Sequence, residues 1–62
     1  MNAITVGQIA ARYDGLIRVE DMGGFHVVLP AETIDEHYGS RRVIKVGIKK
    51  EEDDTLLVLT VF

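Results

Sequence analysis

The chain has 62 residues, 47% of them apolar, a formal net charge of −3 and no cysteine. That composition excludes disulfide staples and a cysteine-ligated zinc, two common supports of a domain this small, and leaves a well-packed core or association with another chain. The negative bulk charge disfavours direct nucleic-acid binding, and no stretch approaches the ~20 apolar residues that a membrane helix needs.

One compact domain is expected over residues 1–62, without internal repeats, a low-complexity run or a linker. Met1-Asn2-Ala3 shows no basic segment leading into an apolar one, so no signal peptide and a cytoplasmic location are expected.

Thr5-Val6-Gly7-Gln8 has the spacing of a capping box, with Thr5 as N-cap and Gln8 three residues on. Val6, Ile9, Ala10 and Tyr13 follow as one apolar stripe, which predicts a short helix from Thr5 to Tyr13. Asp14-Gly15 closes it, with glycine suited to the left-handed position beyond the last turn.

Leu16 to Leu29 reads as a hairpin around Met22-Gly23-Gly24. A two-residue turn would oppose Arg18 to Leu29 and Glu20 to Val27, mixing charged with apolar positions. A three-residue loop opposes Ile17 to Leu29 and Val19 to Val27, and it leaves Arg18, Glu20 and His26 together on the other face. The three-residue loop is therefore expected, with Gly24 left-handed. Pro30 then opens a second short helix over Ala31 to Tyr38, acidic in its early turns where the helix dipole favours it, and Gly39-Ser40 stops it.

A second hairpin is expected from Arg42 to Phe62, two β-branched runs around the charged block Lys49 to Asp54. In its first arm Ile44, Val46 and Ile48 alternate with Lys45, Gly47 and Lys49, the pattern of a half-buried strand. In its second arm both faces are apolar: Leu56, Val58 and Phe62 on one, Leu57, Leu59 and Val61 on the other. A three-residue loop would set the first group against Ile44, Val46 and Ile48, and a four-residue loop the second.

The order helix, strand, strand, helix, strand, strand predicts an α+β fold, a small four-stranded and mostly antiparallel sheet with two short helices on one face. Two helices of this length cover one face and not both. Leu57, Leu59 and Val61 are accordingly expected to form a dimer or partner face, most simply in a homodimer through the last strand or the sheet face.

Catalytic constellations are lacking. No nucleophile stands in a Gly-x-Ser-x-Gly elbow or in a recognisable order with histidine and carboxylate. His37 sits among Asp35 and Glu36, but adjacent helical positions do not face each other, and an exposed histidine near a helix C-terminus is the simpler reading. His26 and Glu20 are expected opposite each other as an ordinary cross-strand polar pair. No cofactor and no metal are expected. Glu51-Glu52-Asp53-Asp54 lacks the spaced carboxylates and central glycine of a calcium loop. Those four residues with Glu32, Asp35 and Glu36 are instead expected to form an acidic patch that meets a protein partner with a basic surface.

The expected function is a non-catalytic protein–protein interaction module, an acidic inhibitor or adaptor that occupies a partner's basic or nucleic-acid-binding surface. In size and charge alone it resembles the small inhibitors that phages and other mobile elements encode, such as anti-CRISPR proteins, and no motif carries that likeness. Two other readings stand beside it. Thr5 to Tyr13 resembles the first helix of a helix-turn-helix, which would suit a small DNA-binding regulator, although the expected second helix is replaced by the strand-like Leu16 to Val19. A small enzyme or cofactor-binding subunit using His26 or His37 is the third.

Overall fold

The computed structural model describes residues 3–62, apart from the side chain of Glu51. The elements run α1 (Val6–Ala10), β1 (Leu16–Asp21), β2 (His26–Pro30), α2 (Ala31–Tyr38), β3 (Val43–Glu51) and β4 (Asp54–Val61). The sheet has the strand order β2-β1-β4-β3. Each hairpin is antiparallel, and the two meet along a parallel pairing of β1 with β4, so the sheet is mixed.

The capping box forms as the spacing requires. The Thr5 side chain accepts from the Gln8 amide, and the Gln8 side chain accepts from the Thr5 amide at 2.9 Å. Two further amides of the first turn find carbonyls in the segment after α2: Val6 donates to Arg41 and Gly7 to Gly39, both at 2.9 Å. This external capping matters because α1 is only five residues long, too short to persist without tertiary contacts. The helical stretch stops at Ala10 rather than Tyr13, and Tyr13 packs half-buried against the core from the turn beyond it.

The first hairpin has the register that its apolar pattern demands, with Ile17 beside Leu29, Val19 beside Val27 and Glu20 beside His26. Asp21 organises the loop. Its Oδ1 accepts from the amides of Gly23 at 2.8 Å and Phe25 at 3.0 Å, while Gly24 takes a φ of 98°. A short aspartate side chain that stands in for a backbone acceptor is what holds such a turn together.

The second hairpin differs from both expected loop lengths. Glu51 pairs with Asp54 across a two-residue turn, Glu52-Asp53, with Glu52 at a φ of 32°. A two-residue turn has the same pairing parity as a four-residue one, so Leu57 and Leu59 lie beside Ile48 and Val46. The register then shifts between Val43 and Lys45, where Ile44 is the extra residue, and Val43 instead takes the place beside Val61.

Both helices lie on one face of the sheet. Val6 and Ala10 from α1 and Ala31 and Ile34 from α2 are buried with Ile17, Val19, Leu57, Leu59 and Val61 in a single core. The last three residues thus contradict the expectation of a partner face. They are 8%, 0% and 0% exposed within one chain. The strand β4 is also central, with β1 on one side and β3 on the other, so it has no free edge for a second chain. The reason is topological: a parallel β1–β4 pairing draws the most apolar strand to the middle, under the helices.

Candidate interaction surface

With both helices on one side, the other side of the sheet is bare. The strand registers place its side chains in rows across the sheet. Val28, Arg18, Val58 and Gly47 form one row, and His26, Glu20, Thr60 and Lys45 the next. Leu16 and Leu56 border Arg18 and Val28 at the end of the sheet nearest Tyr13, and these residues line a hollow of about 560 Å³ together with Asp14, Gly15, Asp54 and Thr55. Leu16 and Val28 are 45% and 40% exposed, while Leu56 and Val58 are half-buried by their neighbours in the sheet. Four apolar side chains therefore surround a polar centre on a surface that no element of the described chain covers.

That centre is ordered. Arg18 Nε donates to Glu20 Oε2 at 3.2 Å, and Thr60 Oγ1 donates to Glu20 Oε1 at 3.5 Å. Glu20 links β1 to β4 across the parallel pairing, and both charged groups are about one third exposed. Their mutual attraction is screened accordingly and contributes well under about 1 kcal/mol to the free protein. Burial beneath another surface would strengthen it, because the local dielectric falls.

The edge formed by β3 carries a second exposed apolar set. Ile44, Val46 and Ile48 are 47%, 53% and 71% exposed, contrary to the half-buried strand read from their alternation. The alternation itself is real. Val46 and Ile48 point to the helix side, in line with Leu59 and Leu57, but the helices lie over the β1 and β4 side of the sheet and leave these two at its margin.

The expected acidic residues fall on α2 and around the turn of the second hairpin. Glu32 stands in the first turn of α2 and lines a hollow with Tyr13, Asp14, Gly15 and Leu16, and Asp54 lines the adjoining hollow with the same four residues. Glu32 and Asp54 therefore flank one end of the sheet, with Asp14 between them as a further carboxylate that the sequence reading did not single out. Asp35 lines the same hollow as Glu32 and Asp14, and its Oδ1 lies 2.8 Å from where a Cβ on Gly7 would sit. Glu36 is exposed on α2, and Glu52 and Asp53 form the exposed tip of the second hairpin. The side chain of Glu51 lies outside the described residues.

His26 lies on β2 beside Glu20, and His37 lies on α2. His26 Nδ1 lies 3.4 Å from the Gly24 carbonyl oxygen, and His37 stacks edge-on against Tyr38 with ring centroids 6.2 Å apart. Among the described residues no three His, Cys, Asp or Glu side chains group as metal ligands would, and no helix is long and apolar enough to cross a membrane. After α1 the chain turns into β1, so the two helices do not adjoin in sequence as in a helix-turn-helix. Comparison with family models, curated proteins and solved structures returns no match to this chain.

Proposed function

We propose that this chain is a non-catalytic protein–protein interaction module, an inhibitor or adaptor that works by laying the bare face of its sheet on a partner. The observation that carries this reading is the combination of Leu16, Val28, Leu56 and Val58 around the Arg18–Glu20 pair on a face that the chain's own helices leave open. Apolar side chains around a satisfied polar centre suit a protein surface that excludes water from both. The carboxylates of Asp14 and Asp54 at one end of the same face favour a partner that is basic there, by charge complementarity and by faster encounter. A homodimer through this face is the form of the same interaction in which the partner is a second copy.

The test is capture from native cell extract with the intact chain and with Val28→Glu and Val58→Glu variants whose folding is verified by circular dichroism. A partner retained by the wild type and lost by both variants supports the reading. Retention by both variants would overturn it.

A further inference from the structure

The outer edge of β3 is a different surface, perpendicular to the bare face, and it has its own chemistry. The other edge strand, β2, is five residues long and ends at Pro30, which has no amide to offer, whereas β3 runs for nine residues. The start of the β3 edge already receives an extended segment of the chain. Thr5 forms an antiparallel bridge with Arg42, and Val43 donates to the Ile4 carbonyl at 2.8 Å. Beyond Ile44 that cover ends, while the strand and its row of backbone groups continue to Glu51.

We propose that β3 from Lys45 to Lys50 accepts an extended acidic segment of another protein as an additional antiparallel strand. Its carboxylates would lie opposite Lys45 and Lys49 on the bare-face side, and its apolar side chains beside Val46 and Ile48 on the helix side. The backbone supplies affinity and the alternating side chains supply selection, as in other cases of strand addition. Three lysines, Lys45, Lys49 and Lys50, alternate or adjoin two exposed apolar residues along this edge. Lysines alone would guard an edge against aggregation. Val46 and Ile48, left 53% and 71% exposed between them, give an incoming strand something to bury.

One pairing of this edge with a second copy is disfavoured. The antiparallel register that sets Val46 beside a second Ile48 also sets Lys45 beside a second Lys49, and like charges directly opposite each other are destabilising. An acidic strand meets the same lysines as complements, which favours it over a neutral or basic one.

The experiment is a titration of the intact ¹⁵N-labelled chain with a synthetic peptide of alternating glutamate and valine, and with the same peptide carrying lysine for glutamate. The wild-type chain is sedimented alone in parallel. Binding of the glutamate peptide alone, with amide shifts confined to Lys45–Lys50 and lost in a Lys45→Glu/Lys49→Glu variant, is the expected result. Both lysines are exposed, and circular dichroism verifies that the variant keeps its fold. No binding, equal binding of the two peptides, or self-association of the wild type through these same amides would overturn the proposal. Shifts centred on Leu16, Val28 and Val58 would also overturn it, while leaving the reading of the bare face intact.

Discussion

The amide of Gly7 donates to the carbonyl oxygen of Gly39 at 2.9 Å, and a Cβ built on Gly7 would lie 3.0 Å from that same oxygen. The first turn of α1 thus rests directly on the backbone that follows α2. The Gly7→Ala substitution gains helix propensity of up to ~1 kcal/mol, yet it forces apart a contact that holds the two helices together. Overpacking of this kind costs about 1–3 kcal/mol, so the expected net effect is a loss of about 1 kcal/mol. In a domain of this size that lowers the Tm by roughly 4–8 °C. Combining it with Asp35→Ala removes the carboxylate 2.8 Å from the new Cβ but not the Gly39 oxygen, so thermal unfolding of the double variant should recover only part of the loss.

Core and edge should separate cleanly. Leu59 is fully buried and Ile48 is 71% exposed, although both are apolar and stand on the same face of the β3–β4 hairpin. Leu59→Ala is expected to cost about 2–5 kcal/mol, enough to leave so small a domain largely unfolded. Ile48→Ala is expected within about 0.5 kcal/mol of the wild type. Urea denaturation of the two variants would check the contrast.

This pair also shows how much of the fold was legible in the sequence. The first hairpin and α2 follow from local chemistry: the glycine loop, the alternation of Ile17, Val19, Val27 and Leu29, and Pro30 ahead of an acidic first turn. The second hairpin did not, because β4 is apolar on both faces and a one-residue change of loop length exchanges those faces. The choice between Leu57, Leu59 and Val61 on one side and Leu56 and Val58 on the other was made by the parallel contact with β1, a long-range pairing with no local sequence signal. The polar half of the candidate surface was visible early, since the three-residue loop already put Arg18, Glu20 and His26 on one face. The apolar half was hidden behind the ambiguity of β4.

Asp21 offers a test of turn chemistry. Its Oδ1 serves two amides of the loop at once. Asp21→Ala leaves both without that acceptor and is expected to cost about 1–2 kcal/mol. Asp21→Asn keeps an oxygen in the same place and should remain close to wild type. Chemical denaturation of the pair, with amide exchange at Gly23 and Phe25, distinguishes a local loosening of the loop from global loss.

The capping box makes a similar prediction at the other end of the chain. Thr5→Ala removes the side-chain acceptor for the Gln8 amide, and N-cap losses of this kind cost about 0.5–2 kcal/mol. Thr5→Ser retains the oxygen and should restore most of the difference in Tm.

The bare face of the sheet is the centre of this account, and a photo-crosslinking amino acid placed on it tests the claim most directly. Position 28 lies on that face, where Val28 is 40% exposed, and position 8 lies on α1, where Gln8 is exposed on the helix side of the molecule. Irradiation in the native cell should give a discrete crosslinked product from position 28, absent from position 8 and lost on Val58→Glu. A product from position 8 with none from position 28 would contradict it.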